Sequence, residues 1–211
     1  MICNICKSKD SVREYITGRN NKKLKCSVCE SQDRHRALVY ILNKKKILKG
    51  SSVIRGDQMC LHLSPETGTA KILKNYFRSG YIASDPFLEQ NIWKFTFPQD
   101  FEKIPSNTFN LIVHQATVEY FPGPWKNHYD QFARILKTGG SMVFTTYTEG
   151  LDRPETYDSG FTDYIWQDVD SNKIYGKDWI EYCEQKFTVF EMIDVSVPEY
   201  EAQGTVFYAK M

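Results

Sequence analysis

Between residues 109 and 146 the spacing of apolar positions changes twice. Phe109, Leu111, Ile112 and Val113 make a short apolar run, and 127–136 carries its apolar residues at helical spacing. Lys137-Thr138-Gly139-Gly140 ends that helix, and 141–146 returns to an extended pattern. A strand, a helix and a second strand, both strands apolar throughout, predict a parallel sheet covered on both faces. The same alternation predicts strands at 59–63, 80–85 and 92–97, a helix over 66–77, and a short helix or loop at 99–104. A polar, aromatic stretch at 151–170 interrupts it. A helix near 176–182 and two strands, 187–197 and 205–211, then predict a closing antiparallel hairpin. The chain reads as α/β, with a seven-stranded, mostly parallel sheet over 50–211.

The N-terminal segment follows another logic. Cys3-x-x-Cys6 and Cys26-x-x-Cys29 stand far enough apart for four thiolates to converge on one tetrahedral zinc ion. Between them 11–16 and 22–25 form the arms of a hairpin turning at 18–21, the outline of a zinc ribbon. Paired disulfides and a redox dithiol are the alternatives; two evenly placed pairs suit a metal better. Four protein ligands leave no open position, so such a zinc is structural. Cys60 and Cys183 have apolar or aromatic neighbours and read as core thiols. A helix follows, capped by Ser31 or Asp33, whose apolar residues at 37–42 pack on the body. His35 reads as a solvated or capping residue outside the metal site. The predicted division is a ribbon and linking helix over 1–49 and a second domain over 50–211.

Charge sharpens this division. The 211-residue chain is nearly balanced, yet residues 1–49 hold 13 Lys and Arg against 4 Asp and Glu, and 50–211 hold 14 against 22. A +9 head on a −8 body either attracts phosphate-bearing partners such as nucleic acid, with Arg19, Lys22, Lys23, Lys25, Arg34 and Arg36 as its cations, or docks on the body. No apolar run approaches the roughly 20 residues of a membrane span, and 1–4 lack a signal segment, so a cytoplasmic protein without membrane partners is expected. Oligomeric state is left open by the sequence.

In an open parallel sheet, ligands bind beyond the carboxyl ends of the strands. Ser64-Pro65-Glu66-Thr67-Gly68-Thr69 follows the first strand, where Gly68 permits close backbone approach and a helix start offers amide donors. Asp85 ends the second strand, where a carboxylate can accept from both hydroxyls of a ribose. His114-Gln115-Ala116-Thr117 follows the fourth.

These features, together with Tyr81-Ile82-Ala83-Ser84-Asp85, Val118-Glu119-Tyr120 and the helix Phe132-Ala133-Arg134-Ile135-Leu136-Lys137-Thr138-Gly139-Gly140, resemble the class I S-adenosylmethionine-dependent methyltransferases over about 57–211. A subset of that family is similar in also having a two-knuckle cysteine segment followed by Arg-His-Arg and a Leu-His-Leu-Ser-Pro-Glu loop. The resemblance implies a Rossmann-like fold and S-adenosylmethionine as cofactor. It implies that Ser64, Glu66 and Gly68 line the methionine part, that Asp85 holds the ribose, and that Gln115 sits near the sulfonium. A hydroxyl or amine acceptor needs a base, and His114, Glu119 and Tyr120 are the nearest candidates. The acceptor, a small sugar, a nucleotide-linked metabolite or RNA, is met by the ribbon, the loop at 122–125 and the 157–175 excursion. Phe121, Trp125, Tyr164 and Trp166 there either stack on a ring or pack a lid. The single glycine of the first loop keeps a second reading open: a zinc-ribbon nucleic-acid-binding protein on a catalytically degenerate methyltransferase scaffold.

Overall fold

The computed structural model describes residues 2–10, 12–16, 22–48, 58–85, 99–159 and 172–211. The expected strand at 92–97, the hairpin turn at 18–21, and Tyr164 and Trp166 lie outside these residues.

Two strands, β1 (Val12–Ile16) and β2 (Lys22–Cys26), pair antiparallel, and helix α1 (Asp33–Lys44) follows. The body holds β3 (Cys60–Leu63), α2 (Thr67–Phe77), β4 (Tyr81–Ser84), α3 (Gln99–Lys103), β5 (Phe109–Gln115), α4 (Trp125–Ile135) and β6 (Leu136–Thr145). After a small pairing of β7 (Tyr157–Asp158) with β8 (Lys173–Ile174) come α5 (Lys177–Lys186), β9 (Val189–Val197) and β10 (Ala202–Lys210). Among the described residues the main sheet has six strands in the order β4-β3-β5-β6-β10-β9. The pairs β3–β4, β3–β5 and β5–β6 are parallel, whereas β10 runs antiparallel to both β6 and β9. This is the expected mostly parallel α/β sheet with its terminal hairpin. Strand order reverses between β3 and β5, the switch point at which such sheets open a crevice.

Each face of the sheet has its own core. On one, Leu61, Leu63, Ile112, Met142 and Phe144 pack against α3, α4 and α5; on the other, Cys60, Leu111, Val113 and Val143 pack against α1 and α2. The alternation follows from the two-residue period of a strand. Helix α1, read from sequence as a linker, contributes Ala37, Leu38, Ile41 and Leu42 to the second core, while Val39 faces the cysteine segment. The cysteine segment is thus joined to the body through a shared helix. Lys45 adds an ion pair with Glu191 at 2.6 Å, as expected if the basic head docks on the body.

The glycine turn is built as its sequence predicts, with one difference. Leu136 already pairs with Phe109, so β6 begins before the glycines and passes through a bulge. Gly139 has φ +78°, and a Cβ on Gly140 would stand 2.8 Å from the Lys137 carbonyl oxygen and 3.0 Å from that of Phe109. Only glycine fits at both positions. β10 also starts earlier than expected, at Ala202, because Gly204 continues the ladder at φ +136°. Among the described residues no helix is long and apolar enough to cross a membrane.

Candidate functional site

The four cysteines form one cluster, their sulfurs all within 4.8 Å of one another. The two knuckles repeat one geometry. Lys7 N donates to the Cys3 carbonyl and Glu30 N to that of Cys26; Cys3 N donates to Ser8 O and Cys26 N to Ser31 O. Lys7 and Glu30, the residue after each knuckle, both turn to positive φ, 64° and 60°. Ser8 Oγ lies 3.2 Å from Cys6 Sγ and Ser31 Oγ 3.2 Å from Cys29 Sγ. The nearest sulfur pairs, Cys6–Cys26 at 3.6 Å and Cys3–Cys29 at 3.7 Å, are far longer than a disulfide bond of about 2.05 Å. Burial pushes the Cys29 thiol up to about 12. Cys60 and Cys183 lie apart from the cluster, wholly buried, as expected of core thiols.

Since Ser31 serves the sulfurs, it does not cap α1. Gln32 takes that position, and its backbone N–H donates to His35 Nδ1 at 3.3 Å. His35 is therefore a capping residue but not a solvated one: it is buried, 3.6 Å from Glu66 Oε2, and burial lowers its pKa to about 3. Arg36 is wholly buried as well. Its guanidinium donates to the Ser31 carbonyl at 2.7 Å and to the Glu201 carbonyl at 2.8 and 3.0 Å. It is thus withdrawn from the expected phosphate-binding set, and Lys25 of that set pairs with Glu30.

At the carboxyl edge of the sheet, the predicted residues take distinct positions. Ser64 follows β3 at φ 45° and Ala116 follows β5 at φ 48°, so both strands flanking the switch point end on a left-handed residue. Glu66 is the N-cap of α2, its carboxylate accepting from Gly68 N at 2.7 Å and Thr69 N at 2.6 Å. Gly68 leaves room for the cysteine segment: a Cβ there would stand 2.9 Å from Ile5 Cγ2. Asp85 lies just past β4 and is buried. Gln115 ends β5 in register with Thr145 of β6.

Sequence reasoning missed what these residues share with their neighbours. His62 Nε2 on β3, Ser84 Oγ on β4, both amide atoms of Gln115 on β5, Thr145 Oγ1 on β6 and Thr69 Oγ1 at the start of α2 are buried without a hydrogen-bonding partner among the described residues. Buried polar atoms are seldom left so, and here they gather along one edge. The signal lay in polar residues closing otherwise apolar strands.

The three candidate bases separate. His114 is wholly buried, stacked on Phe144 at 4.6 Å and Phe132 at 5.9 Å between ring centroids, with no hydrogen bond to either ring nitrogen among the described residues. Desolvation lowers its pKa to about 3. The expectation that it faces the cleft fails because strand alternation turns it to the aromatic core with Ile112. Glu119 and Tyr120, in the short turn Val118–Tyr120, instead meet the segment leaving β6. Thr146 Oγ1 donates to Glu119 Oε1, and the Tyr120 and Tyr147 hydroxyls are 3.0 Å apart. Glu119 is wholly buried, its Oε2 has no partner among the described residues, and desolvation raises its pKa. Phe121 packs in the core beside Phe101, and Trp125 packs edge-on against Tyr182, so both serve packing.

No protein-family model matches the chain, and no curated protein does. Solved structures share its fold. An S-adenosylmethionine-dependent methyltransferase from Mesorhizobium loti superposes with a TM-score of 0.51 at 12% identity, over 84% of this chain and 96% of that one. One from Archaeoglobus fulgidus gives 0.50 at 11%, over 82% and 92%. The 1,6-didemethyltoxoflavin-N1-methyltransferase of Burkholderia thailandensis, solved with 1,6-didemethyltoxoflavin and S-adenosylhomocysteine, gives 0.50 at 10%, over 94% and 98%. The chain therefore has the Rossmann-like fold of class I S-adenosylmethionine-dependent methyltransferases.

Proposed function

We propose that this protein transfers a methyl group from S-adenosylmethionine to a small-molecule or RNA acceptor, and that its cysteine cluster holds one structural zinc ion. The observation carrying the first part is the set of unpartnered buried polar atoms on His62, Ser84 and Gln115, at the carboxyl side of β3, β4 and β5, where a nucleoside ligand fits. When bound, the cofactor supplies a methyl group already activated on a sulfonium. What remains for the chain is to hold the donor, align the acceptor and exclude water. Asp85 holds the ribose hydroxyls. Ser64 and Gly68 shape the methionine side of the cleft, and Glu66 does so indirectly by fixing the first turn of α2. Gln115 contributes amide donors and acceptors beside the reacting centre. For an acceptor that must lose a proton, Glu119 is the assigned base, acting through the Thr146 hydroxyl, with Tyr120 holding Tyr147 in place.

The donor set of the cysteine cluster fits zinc: four sulfurs brought together by two equivalent knuckles, each with a serine hydroxyl alongside. The ion would stabilise the fold and take no part in the transfer.

Calorimetric titration with S-adenosylhomocysteine tests the cofactor assignment. One site per chain is expected, weakened at least tenfold in Asp85→Ala. Absence of binding at millimolar ligand, or unchanged affinity in Asp85→Ala, refutes it.

A further inference from the structure

Beyond the switch point lies a cavity of about 180 Å³ whose lining shares Thr145, Thr146 and Tyr147 with the features described above. Its floor is the end of β6, Thr145 with Thr146 to Glu149, and its walls are Ala116 after β5 and the start of β10 at Gly204 and Thr205. Arg34, from the first turn of α1, reaches over it from the N-terminal segment. Thr145, Gly204 and Arg34 define it. Thr145 is 5% exposed and its hydroxyl has no partner among the described residues. Gly204 of β10, at φ +136°, stands beside Arg34, whose Cα and Cβ would lie in ordinary contact, 3.8 Å, with a Cβ at that position. Arg34 Nε lies 3.2 Å from His35 Nε2, beside a ring that burial keeps neutral.

We propose that this cavity takes the methyl acceptor and that the acceptor is an anion-bearing polyhydroxyl compound, its carboxylate or phosphate held by Arg34 and its hydroxyls by Thr145, Thr146 and Thr148. Arg34 is the one cation lining the cavity among the described residues. A planar guanidinium presents its N–H groups as a fork to an oxyanion. The threonine hydroxyls both donate and accept, as ring hydroxyls require. Glu149, exposed at the rim, disfavours highly charged anions and so points to one acidic group on a neutral ring. Thr146 joins the cavity to Glu119, so an acceptor hydroxyl beside Thr146 would reach that carboxylate through one side chain. The cavity borders Ala116, next to Gln115, which places an acceptor beside the cofactor edge.

The proposal rests on the methyltransferase reading, and its test is arranged to fail separately. Binding of glucuronate, glucose 6-phosphate and glucose is measured by saturation-transfer NMR, with and without S-adenosylhomocysteine, on the full chain and on Arg34→Gln and Arg34→Lys. One or both anionic sugars should bind, at least tenfold more tightly than glucose, and which of them binds separates carboxylate from phosphate. Arg34→Gln should lose that preference at least tenfold and Arg34→Lys should lose less, while S-adenosylhomocysteine affinity stays within threefold in both. Equal binding of glucose, absence of binding by all three sugars, or undiminished anion binding in Arg34→Gln overturns it. Should the wild type bind an anionic sugar but no S-adenosylhomocysteine, the anion site stands and the methyltransferase reading falls.

Discussion

Ile5 stands where a side chain on Gly68 would go: its Cγ2 methyl is 2.9 Å from the position a Cβ would occupy. One residue belongs to the first cysteine knuckle and the other to the first turn of α2, at the proposed cofactor edge. His35 adds a second tie, 3.6 Å from Glu66, which itself caps that turn. The cysteine module thus buttresses the loop after β3. Gly68→Ala should cost about 1–3 kcal/mol by overpacking. In an Ile5→Ala background, where the space is free, the same change should cost markedly less, a coupling that urea unfolding of the four proteins measures.

The metal assignment predicts one zinc per chain by elemental mass spectrometry. Cys26→Ser should lose most of it, whereas Cys183→Ser should keep it, because Cys183 lies among Tyr129, Tyr175 and Trp179 in the other core. Chelation should lower the thermal midpoint and weaken S-adenosylhomocysteine binding together, through Ile5. Full zinc retention in Cys26→Ser would contradict the assignment.

Arg36 is predicted to be structural. Arg36→Ala removes both guanidinium donors from the Glu201 carbonyl and leaves the Ser31 carbonyl only the Cys26 N–H, and should cost about 2–4 kcal/mol by urea unfolding. Arg36→Lys should rescue little, since one ammonium cannot reproduce a fork that bridges two carbonyls.

Burial holds His35, His62 and His114 neutral, with pKa values lowered to about 3, and His128 to about 4. The unfolded chain takes up these protons near pH 6.5 and the folded one does not, so their stability is complete above that pH and is lost as pH falls towards 4 and then 3. The loss should approach roughly 1.4 kcal/mol per histidine per pH unit below 6. His114→Phe should make the urea midpoint less steep in pH between 6 and 4 and leave methyl transfer intact. A large loss of transfer at unchanged stability would restore His114 as the base.

Much of this architecture was legible because two signals coincided. The β5–α4–β6 unit showed a run, a helical period and a glycine stop in succession, and the structure keeps the run and the helix within two residues of their expected limits, while β6 starts five residues early and takes in the glycines. The cysteine cluster followed from spacing, and the position of Asp85 at the end of β4 from the strand pattern. Orientation was not legible. Strand alternation decides that Gln115 and His114 face opposite ways, yet nothing local says which face meets the aromatic layer. The roles of Glu66 and Gly68 were hidden for another reason: the partner that explains Gly68, Ile5, is sixty-three residues away in a different module. Arg36 likewise read as surface charge because its acceptors are backbone carbonyls, one of them at Glu201.

The central claim is that the carboxyl edge of β3, β4 and β5 binds a nucleoside-linked methyl donor. A crystal structure of the complex with S-adenosylhomocysteine tests it most directly. The account predicts the ribose hydroxyls on the Asp85 carboxylate and the Gln115 amide within hydrogen-bonding distance of the ligand. Ligand seated elsewhere, or Asp85 turned away from it at full occupancy, would contradict the account.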